Sequence, residues 1–395
     1  MSAARLKALK LVLLATAALM LATPAYAAQE KTLVTFHNGG LPSDGLVAWQ
    51  GKLYGSTEYG GQYGLGNVFE ISQSGGVFTY KSIYDFKPED HAAGPMWAVT
   101  FDRAGNLYGT LPSSGTHAAG AIYRLSPEND TWRLTVIYNF TGDEDGFVPD
   151  SKLTFDPEGN LYGATTFGGT TGSGTIFQLI PSGDHWTERT IHTFNGATDG
   201  RSPEELVLSN DGRLFGFGCQ AGPANKGTIF QLTKDGDNWQ FTVLYDFGAP
   251  NDGSFITGRP VLDGEGHIYG SSQRGGASDL GTLFRFDLNT GVNTILHSFE
   301  GVPDAATPYE DLLLDRQGHI WGAAGGGTGN GGSGFGTIFE YIPAEASYKL
   351  VYRFGQSGGH FPNGRLIQDL NGNLYGTTEE GGPDEGTGTV FQIKP

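Results

Sequence analysis

The tripeptide Leu-Tyr-Gly, or a near variant, returns seven times along the chain at almost constant spacing. Its aromatic is Tyr54, Tyr108, Tyr162, Phe215, Tyr269, Trp321 and Tyr375, at intervals of 54, 54, 53, 54, 52 and 54 residues. A Gly-Thr-Ile-Phe-like segment follows each copy, with its aromatic at Phe69, Tyr123, Phe177, Phe230, Phe284, Phe339 and Phe391. A third landmark, Tyr-x-Phe-like, ends at Phe36, Phe86, Phe140, Phe194, Phe247, Phe299 and Phe354. Seven copies of three landmarks are not chance, and they override the two or three domains that 395 residues would otherwise suggest.

Each repeat reads as four short strands. In the third, residues 152–156 form a first strand, Pro157-Glu158-Gly159-Asn160 a tight polar turn, and residues 161–165 a second strand. A glycine-rich loop over 167–174 leads to a third strand at 175–180, and a turn at 181–184 to a fourth at 186–194. No helical periodicity is sustained within the repeats. Four antiparallel strands per unit of about 50 residues is the pattern of a β-propeller blade. The last repeat stops after a third strand, at Gln392-Ile393, and Thr32 to Phe36 reads as a fourth strand with no preceding three. The two fragments complete one blade between them and remove the free edges of an open array. The expected fold is therefore all-β: a seven-bladed propeller of four-stranded antiparallel blades, closed by its N-terminal strand.

Residues 1–27 carry the marks of a secretory signal peptide: Arg5, Lys7 and Lys10, an apolar run from Leu11 to Ala22, Pro24, and Ala25-Tyr26-Ala27 for cleavage. The run is too short to span a bilayer, and no second apolar stretch of 18 residues follows. The domains expected are 1–27 as signal peptide and 28–395 as one propeller, a monomer released to periplasm or medium without membrane insertion. The net charge of −18 argues against nucleic acid, whose backbone would be repelled. A single cysteine, Cys219, allows no internal disulfide and reads as a small semi-buried thiol.

The segments Gly159 to Leu179 and Gly372 to Ile393 carry Gly-Asn-Leu-Tyr-Gly-(Ala/Thr)-Thr-x-x-Gly-Gly followed by Gly-Thr-(Ile/Val)-Phe. This pattern resembles the GloVer tandem repeat of exported bacterial proteins, over roughly residues 32 to 395. Repeat two departs from it at Leu111-Pro112-Ser113-Ser114. The resemblance implies a propeller-like exported protein and brings no catalytic residues with it.

The landmark aromatics recur at equivalent strand positions and are expected to pack blade against blade. Aromatics outside that set, namely Tyr59, Tyr63, Phe147, Phe167, Phe255, Tyr309, Phe335 and Phe361, fall in or near the fourth-to-first and second-to-third connections. Both connections emerge on one face of the disc, and function concentrates on such loops. Asp145, Asp199, Asp252 and Asp304 stand five residues after their Phe landmark, and Asp90 four after its own. They read either as an acidic mouth around the channel, able to hold a divalent cation such as calcium, or as side chains capping their own turns. No cofactor is otherwise implied. His192 and His297 replace the tyrosine of Tyr-x-Phe and read as structural; His267 and His319 occupy tight turns on the opposite face.

Departures from symmetry point to blades one and two, whose loops hold Tyr59, Tyr63, His91 and His117 as candidate ligand-binding residues. No nucleophile elbow, phosphate loop or zinc spacing appears. The leading expectation is a non-enzymatic exported propeller that binds a protein or glycan through its loop face. The alternative is a polysaccharide lyase or hydrolase, with His91 or His117 as base, Arg201, Arg274 or Arg365 as neutralising cation and Tyr59 as sugar platform.

Overall fold

A computed structural model describes residues 28–37, 39–308, 311–326, 334–356, 358–382 and 386–395. The signal-peptide segment and Tyr309 lie outside the described residues. The strands form seven antiparallel sheets, each running first to fourth strand from the channel outward. Blade one, for example, comprises Pro42–Trp49, Lys52–Thr57, Asn67–Ser74 and Val77–Asp85. Gln29–Thr35 pairs antiparallel with Thr389–Lys394, Thr32 opposite Phe391 and Thr35 opposite Thr389, and so becomes the outer strand of blade seven.

The glycines of the landmarks have specific steric reasons. Phe177 lies across Gly163 of the neighbouring strand, where a Cβ would sit 2.5 Å from the ring's Cζ and 2.9 Å from Leu153 Cδ2. The glycine that opens each Gly-Thr-Ile-Phe-like segment works between blades. Gly174 holds φ +100°, and a Cβ there would meet Pro203 Cδ of the next blade at 2.7 Å. Its carbonyl accepts the N–H of Phe194 at 3.0 Å, a bond repeated at the Phe landmark of all seven blades. The residue before that proline is held left-handed, at Val148, Ser202, Thr307 and Phe361 among others. Its N–H donates back to the preceding blade, Ser202 to Ser173 O at 2.9 Å and Thr307 to Leu280 O at 2.8 Å.

The second-strand aromatics are buried in all seven blades, none more than 6% exposed. Tyr162 packs with Leu206 and Phe230 of blade four, and its ring meets Trp239 edge-on at 5.7 Å. Apolar clusters of this kind fill each blade-to-blade interface and make up the core.

The first strand departs from the expected boundary. In blade three it is split into Phe147–Pro149 and Thr154–Phe155, with Asp150 to Leu153 outside the ladder, and blade four is split in the same way. Blades one, two, five and seven keep one strand but shift register at this point, as between Thr257 and Val261. The extra residues bend the innermost strand away from its partner and turn side chains toward the channel.

Candidate functional site

The five aspartates do not ring the channel mouth. Each is held at the outer edge, by the fourth strand of its own blade. Asp145 accepts from Tyr138 Oη at 2.9 Å and from the Thr141 N–H at 2.8 Å. Asp252 accepts from Tyr245 Oη at 2.8 Å and from two backbone N–H groups, of Gly248 and Ala249. Asp90 accepts from Tyr84 Oη and from the Lys87 N–H. In Asp199 and Asp304 the partner is a histidine, His192 at 3.1 Å and His297 at 2.8 Å. Burial pushes the Asp304 carboxyl up, and hydrogen bonds from His297, Tyr348 and the Ala305 N–H outweigh it, leaving it below its ordinary value. The Tyr-x-Phe landmark is thus half of a turn-capping device, and the aspartate is its other half.

A similar device organises the opposite face. Asp156 accepts from Asn160 N, Asn160 Nδ2 and Tyr162 Oη across the first turn of blade three. Asp102 and Asp369 do the same in blades two and seven. The cluster Asp263, Glu265 and His267 could offer three ligand atoms to a metal. It is the blade-five copy of this turn, with His267 Nδ1 bonded to Asp263 at 2.6 Å where asparagine stands in blades two, three and seven.

On the loop face, Tyr59 is 50% exposed and Tyr63 48%. Phe147 and Phe167 of blade three are also exposed, with ring centroids 6.3 Å apart, and Arg274 lies over Phe255 at 5.7 Å. His91 ends a short 3-10 turn, Pro88–Asp90, in a left-handed conformation and is exposed. His117 is exposed, with its ring 3.1 Å from Thr116 Oγ1. Ser114 Oγ links their two loops, accepting from the Ala93 N–H and donating to its carbonyl, both at 2.9 Å. No hydrogen bond or ion pair joins the two histidines among the described residues.

Apart from Arg365, sequence reading missed the channel wall. The residue just before the first-strand leucine, or its counterpart, is Gly45, Ala98, Lys152, Glu205, Arg259, Asp311 and Arg365 in blades one to seven. Five consecutive blades alternate in charge at this level. Burial pulls the Lys152 ammonium down; Glu205 opposes this, while Arg365 and Arg259 pull it further. Burial and Arg365 likewise lower Arg259, against Glu205 and Asp311. The Arg259 backbone N–H donates to Asp311 Oδ1 at 2.5 Å, and Arg259 Nε to the Leu206 carbonyl at 3.3 Å.

Toward the loop face stand two carboxyls, Asp150 and Glu204, each directly after its blade's proline. Glu204 is pushed up to about 8 by burial, despite the Gly258 N–H it accepts at 2.6 Å, and the charge of Asp150 adds to the rise. Asp150 is raised by burial, against hydrogen bonds from Trp97 Nε1 and Thr166 Oγ1. Cys219 is buried, and burial and then the Glu204 charge push its thiol far up, which disfavours the thiolate.

Seven four-stranded antiparallel sheets around a channel of mixed charge define a seven-bladed β-propeller. Within that class, the chain belongs to the family described as the Gloeobacter/Verrucomicrobia repeat, whose profile matches residues 19–156 and 102–333. No curated protein matches it. Among solved structures, the extracellular domain of the putative one component system BT4673 from B. thetaiotaomicron is similar at TM-score 0.60 and 10% identity, over 93% of this chain. This chain spans 40% of that one. A catalytically inactive virginiamycin B lyase from Staphylococcus aureus, solved with quinupristin, is similar at TM-score 0.59 and 14% identity, over 93% and 99% of the two chains. A Mycobacterium tuberculosis puromycin-hydrolyzing peptidase is similar at TM-score 0.55 and 12% identity, over 92% and 55%. At these identities the likeness is one of fold. No helix among the described residues is long and apolar enough to cross a membrane.

Proposed function

We propose that the protein is an exported, non-enzymatic propeller that holds a protein or glycan partner on its loop face. The observation that carries this reading is the distribution of exposed aromatic rings. Tyr59, Tyr63, Phe147, Phe167 and Phe255 stand on that face with the aliphatic Val302, while elsewhere Tyr80, on the outer strand of blade one, is the one exposed aromatic among the described residues beside the aliphatic Val77, Ile180, Val292 and Leu370. Aromatic rings offer large contact area to protein and stack on sugar faces at little entropic cost. Export rests on residues 1–27, whose pattern is that of a cleaved leader. The test is a glycan array together with capture of culture-supernatant proteins by the chain lacking residues 1–27, followed by binding measurements on the identified partner. Loss of at least tenfold in affinity in Tyr59→Ala or Phe167→Ala supports the reading. Affinity unchanged in both, with binding lost on altering the turn face, refutes it.

A second reading is favoured by one specific feature, the neighbouring carboxyls Asp150 and Glu204 in the channel. Two carboxyls that hold protons above their ordinary range are suited to acid–base work on a polysaccharide, as lyase or hydrolase. Product analysis on any glycan bound separates the two: turnover abolished in Glu204→Gln supports the enzyme, and binding without products supports the module.

A further inference from the structure

The turn-face end of the channel contains a cavity of about 530 Å3, within the range of small-molecule sites. Val207, Leu262, Leu312 and Leu314 give its wall an apolar patch beside the polar Ser209, Asn210, Asp211 and Arg213, and Arg259 and Arg365 also line it. The turns Ser209–Asp211 and Gly264–Gly266 rim it on the side away from the aromatic loops.

The charge around these two arginines is unusual for this chain. Acidic residues outnumber basic ones by 42 to 24, yet Lys152, Arg259 and Arg365 converge here against only Glu205 and Asp311. One oxygen of Asp311 is occupied by a backbone N–H, that of Arg259. Arg259 Nε has only a carbonyl, at 3.3 Å, and Arg365 Nε is buried with no hydrogen-bond acceptor. A buried guanidinium donor without an acceptor is costly and is ordinarily matched by an anion.

We infer that this cavity is a binding site for an organic monocarboxylate with an apolar body, its carboxylate on Arg259 and Arg365 and its hydrocarbon against the leucine walls. The planar carboxylate matches the fork of a guanidinium. The site is separate from the loop face, and its test involves no residue of that face.

The experiment is isothermal titration calorimetry on the folded chain with 2-naphthoate, 2-naphthalenemethanol and 2-naphthylmethylammonium as matched probes. Saturable one-to-one binding of the carboxylate is expected, with the neutral and cationic probes at least tenfold weaker. Arg365→Met keeps the stem and removes the charge, and should weaken naphthoate at least tenfold. Should that variant fail to fold, Leu314→Trp, which fills the cavity and leaves every charge in place, decides by abolishing binding. Tyr59→Ala should bind naphthoate as the parent does. Equal affinity for the alcohol, no saturable carboxylate binding, or undiminished binding in Leu314→Trp overturns the inference.

Discussion

Replacing Tyr162 tests whether the seven recurring aromatics are joints between blades or a surface for ligand. The ring is almost wholly buried, packed on Leu206 and Phe230 of the next blade and edge-on to Trp239. Truncation to alanine removes that contact and leaves a cavity between two rigid sheets with little freedom to collapse. The expected loss is about 3–5 kcal/mol. Tyr162→Phe keeps the ring and removes only the hydroxyl, which donates to Asp156 Oδ2 at 2.9 Å and accepts from Gln178 Nε2 at 2.8 Å. Asp156 Oδ2 retains Asn160 Nδ2, but the buried Gln178 amide loses its partner, so about 1–2 kcal/mol is expected. Urea unfolding followed by tryptophan fluorescence and circular dichroism gives both values, with the midpoint shifting and the slope unchanged. The order parent, Phe, Ala is the required result. An alanine variant within about 1 kcal/mol of the parent, or a phenylalanine variant as weak as the alanine one, refutes the packing account.

Other outcomes follow from the same geometry. Deleting residues 28–37 removes the strand paired with Thr389–Lys394 and uncovers an edge, so soluble yield in size-exclusion chromatography should fall; an unchanged monomer peak and melting temperature would refute closure. Gly174→Ala places a Cβ against Pro203 at a φ of +100° and should cost at least about 2 kcal/mol by urea unfolding, while Gly172→Ala, with open space around it, should cost less. Asp145→Ala strands Tyr138 Oη and the Thr141 N–H and should cost about 1–3 kcal/mol, whether or not calcium is present; a calcium-dependent difference in melting temperature would restore the cation reading. Glu204 binds its proton more tightly folded, at about 8, than at its ordinary value of 4.5, so its contribution to stability declines as pH rises between those values. Glu204→Gln should therefore gain on the parent in thermal melts at pH 8 relative to pH 5, and parallel pH profiles would refute this.

The blades were legible because each landmark has a neighbour that constrains it in every copy. Gly163 is glycine because Phe177 lies on it, and Gly174 because Pro203 abuts it, so repetition in space appears as repetition in sequence. The aspartates were visible for the same reason, but their position was not, since spacing from Phe140 does not say that Tyr138 would hold Asp145 at the outer edge. The channel wall was hidden by the opposite property. Lys152, Glu205, Arg259, Asp311 and Arg365 share a place in the fold but no residue type, and blade four has one residue fewer between its proline and its leucine than blade three. A signal existed: variation at one position inside an otherwise constant repeat, just before the first-strand leucine.

The joints between blades have a consequence for the order in which blades assemble. Six of the seven are built from the same parts, a left-handed residue and its proline or isoleucine on one side and a glycine on the other, and at the seventh Leu41-Pro42 meets Gly388. That backbone fitting is alike from joint to joint and does little to tell one neighbour from another; the apolar clusters beside it differ in composition. A further distinction between neighbours lies at the hub, where a lysine adjoins a glutamate and an arginine an aspartate in successive blades. Two misplaced blades would set like charges side by side among groups as buried as Lys152 and Arg259, at far greater cost than at the surface. The hub thus serves as the combination that such similar latches cannot supply, and chains with a blade duplicated or removed should sort themselves by whether the alternation survives.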